Sequence, residues 1–280
     1  MWGYHPMPNP PNIDIEKYKI SPENGVELYS GLYSECEEEQ PSEQAVLNKM
    51  RGFIKKLDKQ FKENNILKNE KYREECFSII PKRMWVHVEK KDLADFQRLT
   101  TYDSLNETLV IKIHNYAGDL ISYKRRRAFG GKWITAKGTH PNKTPLVRFN
   151  KSYGDVLICC EGHHDYLSAV LCGFNVMSVP TVSYSSFTES DMASIFQNRV
   201  IFMPDLGDQG KSIKSQKALR DQIKGACPAV SMINLKKFIF MTKGISSKKD
   251  KYDFSELVEE WPGDLAELRV AISSYAFPGE

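Results

Sequence analysis

No apolar run in this 280-residue chain approaches the ~20 residues needed to cross a bilayer. The opening residues, MWGYHPMPNPPN, hold no secretory apolar core either. No membrane contact is expected, and the location that follows is cytoplasmic. The six cysteines (Cys36, Cys76, Cys159, Cys160, Cys172 and Cys227) form no Cys-x-x-Cys pair, and two are adjacent within an apolar run. They read as reduced core thiols, which argues against a disulfide frame and against a zinc ribbon. There is no internal repeat, no Ser-His-Asp or Cys-His arrangement, and no metal-ligand spacing among His87, His114 and His140. The formal net charge of +3 is too small to name a partner. With 41% hydrophobic residues the chain can bury a core, and its length suits two domains or one large α/β domain.

Charge distribution says more than net charge. From residue 120 to 151 there are nine Lys or Arg residues and no acid. Lys124, Arg125, Arg126 and Arg127 form the dense centre, with Lys132, Lys137, Lys143, Arg148 and Lys151 around them. Tyr123, Phe129, Trp133 and Phe149 interleave. Cations neutralise phosphates and release counterions, and exposed rings stack on unpaired bases. A solvated hairpin would carry the same charges for solubility alone. The one-sidedness favours a polyanion without saying whether it is template, primer or nucleotide.

The apolar pattern divides the chain. Residues 1–40 are Pro-rich and then acidic, a polar helical stretch runs from 41 to about 65, and 70–80 is a second helix candidate. Residues 84–88, 108–113, 120–123 and 132–135 read as short strands, with a turn at Ala117-Gly118-Asp119. From 155 onward apolar runs (156–160, 176–179, 200–203, 230–235) alternate with amphipathic stretches (166–172, 189–197, 212–224, 254–260). That alternation implies parallel crossovers. Gly173 and Gly225 stand where left-handed helix caps belong. The expectation is an α/β protein: a mostly helical region with an irregular lead-in over 1–105, a basic strand-rich segment over 106–152, and a parallel sheet flanked by helices over 153–280.

Two acidic segments follow strands of that sheet, Glu161-Gly162-His163-His164-Asp165 and Pro204-Asp205-Leu206-Gly207-Asp208-Gln209-Gly210. In an open parallel sheet, ligands gather beyond the carboxyl ends of the strands. Carboxylates there suit magnesium, a hard cation that takes one or two protein carboxylates and keeps waters and phosphate oxygens. Grouped carboxylates also raise one another's proton affinity, and Glu161 is the candidate general base. Asp165, one turn into the next helix, is equally readable as a helix-end aspartate. His163 and His164 read as solvent-facing turn residues. The run Gly207 to Ser212 ends like a P-loop, yet the required first glycine falls on Asp205 and no acidic residue ends the run at 230–235. An ATPase is therefore rejected, while Lys211 remains a candidate phosphate contact.

Glu161-Gly162-x-x-Asp165 followed by Asp205 and Gly210 resembles the TOPRIM module of DnaG-type and phage or mobile-element primases, topoisomerases of types IA and II, and small nucleases. Residues 252–257 (Tyr-Asp-Phe-Ser-Glu-Leu) are similar to the closing segment of that module in mobile-element primases, and residues 108–127 resemble the basic strand pair that precedes it. The resemblance covers about residues 106–260. It implies a TOPRIM-like fold and a magnesium-dependent (or manganese-dependent) nucleotidyltransferase that makes RNA primers on single-stranded DNA from nucleoside triphosphates, with a replicative helicase as a possible partner. It implies Glu161, Asp165 and Asp205 as catalytic residues. Glu161, Asp205, Asp208 and Asp253 become metal ligands, and Lys124, Arg125, Arg126, Arg127, Lys132 and Lys211 contacts to nucleic acid or nucleotide.

The sequence departs from that pattern at Gly207, where a second aspartate is usual and Asp208 stands one place later. Either Asp208 substitutes through a shifted turn or the metal is held more weakly. Ser255 stands where a second acidic or amide group is frequent. A TOPRIM nuclease and a non-catalytic nucleic-acid-binding module are the competing readings. A topoisomerase would need a nucleophilic tyrosine, and nothing marks out one of the thirteen.

Overall fold

The computed structural model describes residues 42–63, 68–126, 133–137, 139, 145–149, 154–207 and 209–279. Helix α1 (Glu43–Glu63) buries Met50, Ile54 and Leu57, the i, i+4, i+7 stripe of an amphipathic helix. Helix α2 (Glu70–Phe77) starts where the Asn69 side chain accepts the Tyr72 amide N–H. A 3₁₀ helix (Lys82–His87) follows, then α3 (Lys90–Leu99). The 3₁₀ helix replaces the strand expected at 84–88. Met84 is fully buried whereas Val86 is 81% exposed, which the two-residue period of a strand forbids.

Four antiparallel strands come next, in spatial order β1 (Thr100–Asp103), β2 (Thr108–His114), β3 (Leu120–Arg126) and β4 (Trp133–Thr135). The turn between β2 and β3 closes with the Gly118 amide donating to the Asn115 carbonyl, 2.9 Å. The second sheet holds β5 (Leu146–Arg148), β6 (Val156–Glu161), β7 (Asn175–Val179), β8 (Arg199–Phe202) and β9 (Val230–Met232) in the order β5-β7-β6-β8-β9. β6, β7, β8 and β9 are mutually parallel, and β5 is an antiparallel edge. Between and after these strands lie α4 (His163–Leu171), α5 (Glu189–Ile195), α6 (Lys211–Ile223), α7 (Leu235–Lys243), α8 (Phe254–Glu260) and α9 (Leu265–Ala276). The expected parallel sheet flanked by helices is present. α7 begins where the Asn234 side chain accepts the Lys237 amide, so the apolar run at 230–235 is strand for only three residues.

Both faces of the parallel sheet are covered, which is why its strands read as unbroken apolar runs. Val156, Ile158 and Cys160 of β6 face a core shared with α4, α7, α8 and α9, and with Leu109, Ile111 and Ile113 of β2. Leu157 and Cys159 face the other core, with Ile195 of α5 and Leu219 of α6. Val110 instead packs under Ile54 and Leu57 of α1. The antiparallel sheet is therefore a middle layer, with α1 on one face and the main core on the other. All these elements belong to one compact unit, Glu43–Glu280. The five described cysteines are buried and free, as expected of core thiols. No helix among the described residues is long and apolar enough to cross a membrane.

Arg148 corrects its assignment to the basic surface. Its side chain is fully buried, with Nη2 at 2.7 Å from Asp95 Oδ2 and 3.3 Å from Asp92 Oδ1. It also donates to the Phe174 carbonyl. The guanidinium ties α3 to edge strand β5 and to the turn before β7. It is a structural ion pair, and removing one member of such a buried set typically costs about 3–5 kcal/mol.

Candidate active site

β6 is the switch point of its sheet, because the chain leaves it for β7 on one side and returns on the other as β8. Glu161 ends β6, opposite Val179 of β7. The Met203 amide donates to the Cys159 carbonyl at 2.9 Å, so the segment leading to Asp205 runs alongside the end of β6. The Asp205 amide donates in turn to Ser212 Oγ, 3.0 Å, which fixes its turn against α6.

Asp165 lies on the first turn of α4 and is 2% exposed. Its Oδ1 accepts the Ser255 amide at 3.0 Å. Its Oδ2 is buried with no hydrogen-bond partner among the described residues. Burial, then the charges of Asp253 and Asp205, push its carboxyl well above the usual carboxylate range. The charges of two aspartates from separate segments thus act on the buried Asp165. Asp253 caps α8 in a reciprocal box with Glu256, and its Oδ1 also accepts from Ser255 Oγ at 2.7 Å. Burial works against its ionisation, yet hydrogen bonds with Glu256 and Ser255 outweigh it and hold the carboxyl below its ordinary range. Glu256 is pushed up to about 7 by burial and then by Asp253. The Asp-x-x-Glu spacing of this box is the sequence signal for Glu256.

Gly207 has a reason to be glycine. Its φ is +100°, and a Cβ there would lie 2.3 Å from the Asp250 carbonyl oxygen and 3.0 Å from Lys251 Cα. Leu206 and Tyr252 exchange backbone hydrogen bonds of 2.8 and 3.0 Å, laying the 250–252 strap across the acidic turn. Asp208 lies outside the described residues, as do Arg127 and Lys132.

The basic strand divides between two faces. In an antiparallel pair, directly opposed residues share a face. Arg125 opposes Val110, on the α1 side, and Lys124 opposes Ile111, on the core side. Lys124 lines a cleft with His163, Ser178 and Pro180 at the carboxyl end of β7, and burial lowers its proton affinity. Arg126 donates to Ser78 Oγ and lies 3.7 Å from Glu75. Lys211 is exposed at the start of α6. Neither described ring at the centre of the basic run is free for stacking: Tyr123 packs on Phe53, and Trp133 on His163 and His164.

The two histidines are therefore not solvent-facing turn residues. Their rings lie 5.5 and 5.8 Å from the Trp133 ring. Burial, then the charges of Lys124 and His164, pushes His163 down to about 3. Burial and Arg126 push His164 down to about 4, against Asp253. Because folding favours the neutral rings, their contribution is intact above the ordinary histidine value and is lost as pH falls from there towards 4 and 3. For His163 the loss by about pH 5 is at most about 2 kcal/mol, after allowing for its partial exposure. His163→Gln should therefore narrow the drop in melting temperature between about pH 7 and about pH 5. An unchanged drop counts against a strained neutral ring.

Among the described residues no group of three or more His, Cys, Asp or Glu side chains forms a metal cage. Magnesium does not require one, because it is held by one or two carboxylates plus waters and phosphates. Asp205 and Asp253, carboxylates whose charges both act on Asp165, are an oxygen donor set that suits such an ion.

No protein-family model and no curated protein matches the chain. Solved structures do. The Aquifex aeolicus primase, comprising zinc-binding and RNA polymerase domains, matches with a TM-score of 0.52 at 18% identity, over 90% of this chain and 66% of that one. This chain thus spans just under two thirds of the Aquifex structure. A DnaG primase catalytic domain bound to ssDNA matches with a TM-score of 0.51 at 13% identity, over 82% of this chain and 81% of that one. A DnaG catalytic core matches with a TM-score of 0.50 at 12% identity, over 82% and 79%. At such identities the likeness is one of fold, and over its described residues the chain has the fold of the DnaG-type primase catalytic core.

Proposed function

We propose that this protein is a DNA primase-like nucleotidyltransferase that makes short RNA primers on single-stranded DNA. The acidic residues after β6 and β8, with Glu161 ending β6 and the charges of Asp205 and Asp253 acting on buried Asp165, carry this reading. Lys124, from the basic strand, lines a cleft with His163, two residues beyond Glu161. In this scheme Glu161 takes the proton from the primer 3′-hydroxyl. The hydroxyl oxygen then bonds to the α-phosphorus of the incoming nucleoside triphosphate, and pyrophosphate leaves. Asp205 and Asp253, with Asp208 as a further donor, would hold magnesium or manganese, which polarises the phosphoryl group and balances developing charge. Asp165 shapes the site from beneath. Lys124, Arg126 and Lys211 neutralise phosphates on its rim, and Arg127 and Lys132 belong to the same basic segment. A TOPRIM-type catalytic domain, single-stranded template and a replicative helicase as partner complete the proposal.

Incubation with labelled single strands, magnesium and ribonucleotides tests it. Extended products are expected, and they require nucleotides. Shortened products without nucleotides would mark a nuclease. Neither product, with nucleic-acid affinity retained after Asp205→Ala, would mark a non-catalytic binding module.

A further inference from the structure

The face of α1 turned away from the core carries a stripe of cations that the active site does not use. At 3.6 residues per turn, Arg51, Lys55, Lys59 and Lys62 fall within an arc of about 80°. All four are exposed, and Lys59 is 74% so. The helix has six basic and three acidic side chains, and two of the acids are engaged. Asp58 accepts from Lys112 of β2, and Glu63 lies 3.7 Å from Lys59. No ion pair engages Lys55 or Lys62 among the described residues. Arg51 Nε donates to the Leu120 carbonyl at 3.3 Å, fastening the stripe to the first residue of β3. Arg125, further along β3, stands on this same face of the sheet, with Asp103 no nearer than 3.9 Å.

One sheet thus carries two basic surfaces. Lys124 and Arg126 lie on the core face of the sheet, while Arg125 lies on the opposite face, the side that α1 covers. We propose that the outer surface binds the backbone of single-stranded DNA beyond the stretch held at the site. The stripe spans about 17 Å, the rise of eleven residues. It carries no rings and no shaped pocket, so it reads phosphates and not sequence. The proposal takes from the primase-like reading only the choice of DNA as the polyanion.

Salt-dependent binding separates the two surfaces. Affinity for oligonucleotides of about 10 and about 40 nucleotides is measured by anisotropy over a range of potassium chloride, for wild type and for the triple variant Lys55→Gln, Lys59→Gln, Lys62→Gln. At about 0.7 per phosphate contact, the log–log salt slope for the long strand should fall by about 2 in the triple variant and stay unchanged for the short one. The corresponding triple arginine variant should keep the wild-type slope, and unchanged melting temperatures exclude a folding defect. An unaltered slope on the long strand overturns the proposal and points to an acidic protein or to solvent as the partner of α1. An equal fall on both lengths also overturns it, because α1 would then belong to the reaction site. These slopes report on α1 whether or not primers are made, and synthesis on short templates reports on the site whether or not α1 is occupied.

Discussion

Glu161→Gln is expected to lower templated primer synthesis at least about 100-fold, the low end of what a positioned general base contributes. Melting temperature and template affinity should stay at wild-type values. The substitution keeps size and polarity at the end of β6, in register with Val179, and withdraws only the proton-accepting charge. Asp165→Asn makes the informative contrast. Asp165 is 2% exposed, accepts from Ser255, and is driven towards its neutral form by burial and by Asp253 and Asp205. An amide resembles that neutral form, so the loss should be smaller than for Glu161→Gln. Both are measured as initial rates of primer formation with magnesium and ribonucleotides. Wild-type synthesis by Glu161→Gln would remove Glu161 from the reaction and leave the aspartates to be explained otherwise.

Residues whose meaning depends only on neighbours in the chain were legible beforehand. The runs at 156–160 and 200–203 announce strands covered on both faces, and a carboxylate after each announces the edge where ligands collect. Asp253 is picked out differently, by the likeness of residues 252–257 to the closing segment of mobile-element primases. What was not legible depends on layers that sequence does not order. Lys124, Arg125 and Arg126 form one charged run on paper, yet strand alternation sends neighbours to opposite faces. Only the presence of α1 on one side and the core on the other gives those faces different work. Arg148 looked like one more surface cation until α3, a helix not anticipated, brought Asp92 and Asp95 to it. Nothing in the sequence gives Trp133, thirty residues earlier, a reason to reach His163 and His164 and take them from solvent.

Gly207→Asp, which would restore the usual Asp-x-Asp spacing, is expected to damage the protein instead of completing its site. A Cβ at 207 meets the Asp250 carbonyl oxygen at 2.3 Å and Lys251 Cα at 3.0 Å, and both are backbone. The φ of +100° adds strain for any side chain. Relief requires lifting the 250–252 strap, which breaks the paired Leu206–Tyr252 hydrogen bonds and disturbs the Asp253 cap next to them. Strain of about 1–3 kcal/mol together with the lost backbone pairing brings the expected cost to about 3 kcal/mol or more, read as a shift in the denaturation midpoint. Gly207→Ala should lose most of the same stability, because the collision begins at Cβ and not at the carboxylate. If Gly207→Asp melts like wild type and binds magnesium more tightly, the strap does not close off position 207, and the second carboxylate is merely lost. If both variants are destabilised, the strap and the missing aspartate exclude each other, and any second acidic contact must come from Asp208.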